Sequence, residues 1–315
     1  MQYNYHEVIW ISLILVTVTV YMLLTHQQTF VEYTVLINNE ETKKCMLTMN
    51  RGSFSPPNPT RKLIFVIPFR DESENHFRSN HLHLMLHYTI NYLIKQKAQF
   101  TMLVVNQVSG KPFNRAKLLN IGFAYSIQQK IDADCFVFHD VDLIGESDEF
   151  LYYCNKKHPL HLSAWRQNQN YTPKVKQIMG GVTTFTKKQF YAINGYSNSY
   201  WGWGAEDDDL SLRVRTFYKL KNVPRPKNST KYHIYQIGHE RDTNNQKNPK
   251  RVKILDNWKR RWHHDGIKVR YPAELYLICT LELEELGSYR HVLHKILHQY
   301  NCTIVSIQLY CKIDI

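Results

Sequence analysis

Cys135-Phe-Val-Phe-His-Asp-Val-Asp142 is a short apolar run that breaks into two carboxylates. Such a run, bounded by turn-forming residues, reads as a strand covered on both faces. Lys62–Pro68 (KLIFVIP) and Thr101–Gln107 (TMLVVNQ) repeat the pattern upstream. Between these two, His81–Gln96 carries Leu82, Leu84, Leu86, Ile90, Leu93 and Ile94 close to helical spacing. Ala116–Gln129 does the same with Leu118, Leu119, Ile121, Phe123 and Ile127. Strand, helix, strand, helix, strand is the α/β pattern of a parallel sheet. Ligands of such sheets sit beyond the carboxyl ends of the strands. Pro68-Phe69-Arg70 and Asp140-Val141-Asp142 both fall there, and no internal repeat is present.

The chain has 315 residues, 43% hydrophobic and 13% aromatic, enough to core one large domain or two small ones. Its 40 Lys+Arg against 27 Asp+Glu leave a formal charge of +13. A basic surface suits an anionic partner such as a nucleotide sugar or a membrane face. No Arg/Lys block with interleaved aromatics is present, so nucleic acid is not an expected partner. Val8–Leu24 is uncharged for seventeen residues. That is the short end of a membrane-spanning helix, about 17–25 residues. No small-residue cleavage motif clearly follows, which favours an uncleaved anchor over a cleaved signal peptide. The expected organisation is a cytoplasmic tail at 1–7, an anchor at 8–24, a stem at 25–60, a lumenal domain at 61–279 and an unassigned tail at 280–315. Asn170, Asn228 and Asn301 each open an Asn-X-Thr glycosylation triplet. The six cysteines (45, 135, 154, 279, 302 and 311) lack zinc spacing, and an oxidising compartment would allow disulfides among them.

Tyr200-Trp-Gly-Trp-Gly-Ala-Glu-Asp-Asp-Asp209 sets two tryptophans among glycines and follows them with four acids. Burying adjacent like charges costs free energy, so the run is expected in water, or facing a cation or substrate hydroxyls. Asp207 is a candidate base for a sugar hydroxyl, with Glu206 and Asp208 as hydrogen-bonding neighbours. The same acids also suit the start of a helix, since Leu210, Leu212 and Val214 follow. Asp140 and Asp142 offer hard oxygen ligands for Mn²⁺ or Mg²⁺ on a diphosphate, or form a solvated turn. Arg115 suits a phosphate or a carboxylate, and Asn114 before it suits a helix cap. His239 is a candidate imidazole ligand.

Pro68-Phe-Arg70, Phe113-Asn-Arg-Ala-Lys-Leu-Leu-Asn120, Phe138-His-Asp-Val-Asp142, Gly180-Gly-Val182, Asn194-Gly-Tyr196, the Trp/acid run, His239-Glu-Arg-Asp242 and Asn248-Pro249 occur in this order. In that order they resemble the β-1,4-galactosyltransferase family, from about Lys62 to Leu275. The resemblance implies a GT-A-type fold, a Rossmann-like mixed sheet flanked by helices. It also implies a Golgi type II membrane protein, Mn²⁺ and inversion at the sugar. By position, Asp142 and His239 look like metal ligands. Pro68, Phe69, Arg70, Asp71, Glu72, Phe113, Asn114, Arg115, Val141, Asp142, Ile178, Trp203, His239, Glu240 and Arg241 look like the UDP-sugar site. Ala205, Glu206, Asp207, Asp208 and Arg251 look like contacts to a β-GlcNAc acceptor, with Asp207 as base. Cys135 and Cys154 fall where the family has a disulfide, worth about 3 kcal/mol in the chain-entropy model.

The chain departs from that pattern in several places. Gln236 stands where the family commonly has Met, three residues before the metal histidine, and offers a hard amide oxygen in its place. Ala205 replaces the usual Gly. Cys45 has no clear counterpart, and the tail after about Thr280 is unlike the family's, leaving Cys279, Cys302 and Cys311 unassigned. Ile178 stands where galactosyltransferases have Tyr; the enzymes that transfer N-acetylgalactosamine have Ile or Leu there. A smaller aliphatic side chain leaves room for an N-acetyl group. The expected activity is transfer of GalNAc from UDP-GalNAc to the 4-hydroxyl of a terminal β-GlcNAc. The alternatives are galactose transfer from UDP-galactose and, with Gln236 weakening the metal site, a lectin-like binder.

Overall fold

The computed structural model describes residues 60–70, 77–107, 111–173, 175–238 and 246–268. The anchor expected at 8–24, the stem to residue 59, the tail from 280, Cys45, Cys279, Cys302, Cys311 and Asn301 lie outside the described residues. Among the described residues no helix is long and apolar enough to cross a membrane.

β1 (Lys62–Phe69), α1 (Phe77–Lys95), β2 (Gln99–Asn106), α2 (Arg115–Gln128) and β3 (Cys135–His139) follow one another along the chain. β1 pairs in parallel with both β2 and β3. β7 (Val182–Phe185) runs antiparallel to β3, and β5 (Leu160–His161) antiparallel to β7. The sheet order is β2-β1-β3-β7-β5, a mixed sheet. A second sheet has β4 (Leu143–Gly145) and β6 (Trp165–Arg166) on either side of β8 (His233–Gln236).

The alternation of side chains in β1 divides the core in two. Leu63, Phe65, Ile67 and Phe69 face one cluster, with Leu82, Met85, Leu86 and Leu93 of α1. Ile64 and Val66 face the other, with Leu118, Leu119, Ile121 and Phe123 of α2. Both faces of β1 are therefore covered, which explains an uninterrupted apolar run where a half-exposed strand would alternate. α1 begins at Phe77 rather than His81 and β2 at Gln99 rather than Thr101. Their added first residues include Arg78, Asn80 and Gln99, polar and half-buried, which an apolar period does not register. The disulfide Cys135–Cys154 fastens the start of β3 to the segment after β4.

Downstream come α3 (Lys187–Ala192), α4 (Glu206–Phe217), α5 (Arg251–Asp256) and α6 (Trp258–Arg261). α4 starts on the acidic run, and Leu210 and Val214 anchor it in the α2-side core. The last acid of this run faces cations supplied by the protein itself. Asp209 is neither in water nor at the site: it is fully buried and bonds the equally buried Arg213 at 2.6 Å. Arg261 reaches the other Asp209 oxygen at 3.1 Å, and the Tyr200 hydroxyl donates to that oxygen at 3.0 Å. Arg261 also pairs with Asp265, which accepts from Ser197. The burial of this carboxylate is sustained by two guanidiniums and a phenol.

Arg213→Ala would leave Asp209 buried with half its compensation. The expected loss is about 3–5 kcal/mol. It would be read as a fall of roughly 10 °C in the thermal midpoint.

Candidate active site

The site lies where β1, β3, α2 and α4 end or begin. Asn114 caps α2, its side chain accepting from Lys117 N at 2.9 Å. Both readings of this segment hold, because the next residue, Arg115, turns its guanidinium to carboxylates. Arg115 Nε donates to Asp140 Oδ1 at 2.6 Å and Nη1 to Asp207 Oδ1 at 2.9 Å. Glu206 Oε1 lies 4.0 Å from the same Nη1. One arginine thus joins the turn after β3 to the first turn of α4.

The surroundings set the charges. Burial pushes the Asp140 carboxyl up to about 6 against the pull of Arg115, and Asp142 and Asp207 push the same way. Burial, then the Asp207 charge, pushes Glu206 up to about 7. Burial, then Asp207, also raises Asp208. Burial holds His139 down to about 4, so its ring is neutral. Its Nδ1 donates to Asp140 O at 2.7 Å and its Nε2 accepts from the Tyr152 hydroxyl at 3.1 Å. His139 is thereby a strut under the Asp140-Val141-Asp142 turn, with Val141 buried.

Asp142 faces the second sheet. Gln236 Nε2 donates to Asp142 Oδ2 at 3.3 Å, and Asn168 Nδ2 donates to Gln236 Oε1 at 2.8 Å. Arg78 Nη1 lies 4.0 Å from Asp142 Oδ2. The backbone bond from Ile237 N to Asp142 O, 2.8 Å, fixes the two segments side by side. Carboxylate and amide are the hard oxygen donors a Mn²⁺ or Mg²⁺ site takes. A half-turn of the Gln236 amide would set its oxygen beside Asp142. No cluster of three His, Cys, Asp or Glu side chains is formed among the described residues. His239 lies outside them, as do Asp71, Glu72, Glu240 and Arg241.

The other expected residues surround this centre. Pro68 and Phe69 close β1, and Arg70 lies over the Phe113 ring at 5.4 Å. Gly202 N donates to Phe113 O at 2.9 Å, tying the tryptophan segment to the start of α2. Trp203 is 59% exposed, its backbone bonded to Gln246 and Asn248. Gly202 and Gly204 flank it at φ +82 and +112, values that disfavour any side chain. A Cβ at Gly204 would stand 2.9 Å from Arg251 Cδ, which places Arg251 against this loop. Ile178 is half-buried two residues before Gly180. A Cβ at Gly180 would stand 2.5 Å from Asp207 Cγ, so only glycine lets the carboxylate in. Asn170 and Asn228 are exposed. Gly180 and the partners of Asp209 were not singled out from the sequence as site-building residues. The Asp209/Arg213 spacing of four, an ion-pair spacing on a helix, was a readable signal for the second.

The sequence matches two family models, the N-terminal region of glycosyl transferase group 7 over residues 19–155 and the N-terminal domain of galactosyltransferase over 160–240. It is 38% identical over 221 residues to human β-1,4-galactosyltransferase 4, covering 70% of this chain and 61% of the relative.

The chain belongs to the β-1,4-galactosyltransferase family.

Mouse β-1,4-galactosyltransferase 2 is 37% identical over 224 residues, 70% of this chain and 58% of the relative. The chain thus spans about six tenths of the length of these curated relatives. A crystal structure of a mutant Drosophila β-1,4-galactosyltransferase 7 with manganese, UDP-Gal and xylobiose superposes with a TM-score of 0.54. The identity is 30%, and the match covers 67% of this chain and 84% of that one. The family's members are glycosyltransferases, and the Arg115, Asp140 and Asp207 constellation occupies the end of the sheet where this fold binds ligands.

Two outcomes test the electrostatics and the backbone of this site. Ala205 caps α4 at φ +74, a left-handed conformation that costs a residue with a Cβ about 1–2 kcal/mol. Ala205→Gly should therefore raise stability by about 1 kcal/mol, measured by denaturant unfolding. Glu206, facing Arg115, Asp207 and Asp140, has its pKa raised, so the fold favours its protonated form. That contribution is complete below its ordinary 4.5 and is lost as pH rises through about 7. Glu206→Gln escapes this loss, so its thermal midpoint should gain on the wild type from about pH 5 to about pH 8.

Proposed function

We propose that this chain is an inverting β-1,4-N-acetylgalactosaminyltransferase, moving GalNAc from UDP-GalNAc to the 4-hydroxyl of a terminal β-GlcNAc. The observation that carries the reading is the contact of Gly180 with Asp207, two residues after Ile178. It supports the reading by bringing the backbone two residues beyond Ile178, the proposed judge of the donor sugar, against Asp207, the proposed base. An aliphatic side chain at 178 leaves space for the N-acetyl group and offers its methyl an apolar wall.

Asp207 takes the proton of the acceptor 4-hydroxyl as that oxygen attacks the anomeric carbon. The bond from that carbon to the diphosphate breaks on the opposite face, and UDP leaves with the electron pair. Arg115 holds Asp207 Oδ1, which orients the carboxylate and leaves Oδ2 for the acceptor. Glu206 and Asp208 bind acceptor hydroxyls, with Arg251 across the Trp203 loop. Arg70, Phe113 and Asn114 line the nucleotide side. Asp142, Gln236 and His239 would hold Mn²⁺, whose charge offsets that of the departing diphosphate. Trp203, between its glycines, closes over bound donor and keeps water from the anomeric carbon. A Golgi location with a single N-terminal anchor completes the reading.

Galactose as the donor sugar is the second reading. It is favoured by the names of the relatives and by the UDP-Gal in the Drosophila structure. A screen of UDP-GalNAc against UDP-Gal on a β-GlcNAc acceptor, with and without Mn²⁺, separates the two. Mn²⁺-dependent GalNAc transfer is expected, and Asp207→Asn should abolish it. Ile178→Tyr should move the GalNAc/Gal ratio towards Gal by about tenfold or more. An unmoved ratio would sink this account of donor choice.

A further inference from the structure

Ser211 lies on the buried side of α4 and is 2% exposed. Its hydroxyl donates to Asp207 O, one turn back, at 2.5 Å. Ser211 Oγ in turn accepts from Met179 N at 2.8 Å. One hydroxyl therefore joins the backbone of the proposed base to the backbone of the segment that carries Ile178. Met179 is fully buried, so its N–H has no water to turn to if Ser211 is removed.

The neighbouring bonds show what this link controls. Gly180 O accepts from Ser163 Oγ at 2.7 Å and from Arg166 Nη2 at 3.3 Å. Those bonds fix the far end of the segment to the strand side of the site. Ser211 fixes the near end to α4. Between them Gly180 packs against the Asp207 carboxylate so closely that a Cβ would not fit. The segment is thus held between two serine hydroxyls, and its distance from Asp207 is set by the one on α4. A serine in mid-helix that bonds back to the carbonyl four residues earlier is usually a local matter. Here the hydroxyl oxygen also accepts a bond from across the site.

We infer that Ser211 is a positioning residue, which sets the spacing between the donor-sugar wall at Ile178–Gly180 and the base at Asp207. The inference rests on the roles given above to Ile178 and Asp207. Ser211 touches neither sugar. It acts on the reaction by keeping the acceptor hydroxyl, held by Asp207, in line with the anomeric carbon, held against Ile178. A misplacement of about 1 Å at this step can cost about a hundredfold in rate. UDP itself is bound by other elements, at the end of β1 and the start of α2, so nucleotide affinity should not depend on Ser211.

The test uses the purified full-length chain with Mn²⁺, UDP-GalNAc, UDP-Gal and a β-GlcNAc acceptor. UDP binding is titrated first, and kcat is expressed per UDP-binding site, which removes unfolded protein from the comparison. Ser211→Ala should lower kcat per site about ten- to hundredfold, with UDP affinity within about twofold. Its ratio of donor hydrolysis to sugar transfer should rise. Ser211→Thr, which keeps the hydroxyl, should stay within about threefold of the wild type. Should the alanine variant not fold, Ser211→Cys replaces it, since a thiol is a poor donor and acceptor. The inference is overturned by kcat per site within about twofold of the wild type in the alanine or cysteine variant. A threonine variant that falls as far as alanine also overturns it. Asp207→Asn, run alongside, separates the two failures: transfer surviving there overturns Asp207 as base and the inference with it, whereas transfer lost there but unchanged in Ser211→Ala overturns the role of Ser211 alone.

Discussion

Glu206, Asp207, Asp208 and Asp209 open α4 where the chain is largely packed, and four adjacent carboxylates repel one another there unless cations reach them. The dipole of α4 supplies part of the compensation at its N-terminus. The rest comes from elsewhere. Arg115 reaches Asp207 from α2, and Arg213 with Arg261 reaches Asp209 from α4 and α6. These pairings require the start of α2, the turn after β3, the head of α4 and the 258–265 segment to meet. The site is the place where they do. Asp140 and Asp207 share one arginine as a result, and each raises the demand for it by burial or charge.

Charge compensation holds the site together, and the absence of side chains shapes it. Gly180 admits the Asp207 carboxylate against bare backbone, and Gly204 admits Arg251 against the tryptophan loop. Ser211 and Ser163 then fasten the Gly180 segment from its two sides. The acid run therefore divides by depth. Asp209 is a structural anion locked to Arg213, whereas Asp207 keeps 30% of its side chain exposed. Asp142 belongs to a separate group with Gln236, across the junction between the two sheets.

Much of the main sheet was legible in the sequence, and its physical reason is visible in the packing. Residues 135–139 form β3 with the bounds read from the apolar run, because both faces of that strand are covered and no polar residue interrupts it. The helices between the strands were legible from their apolar spacing, but not the polar first turn of α1. The second sheet was not read at all. β4 and β6 are three and two residues long, and β8 is four residues long with an exposed Tyr235, so no period can establish itself. The order of short motifs along the chain pointed to Arg115, Asp142, Asp207 and Trp203, though not to what each would touch.

By itself the sequence determined the alternation of strands and helices, the carboxylates at a strand end and a helix start, and the family. These are local properties, carried by runs of a few neighbouring residues. Only the tertiary structure decided the partners: that Arg115 would bond Asp207 across 92 positions, that Asp209 would be buried, and that Ser211 would join α4 to Met179. Such contacts depend on how the sheet is wound and how deep each helix sits upon it. Desolvation then sets the charge of Glu206 and Asp140, and burial is a property of the packed molecule that no short stretch of residues contains.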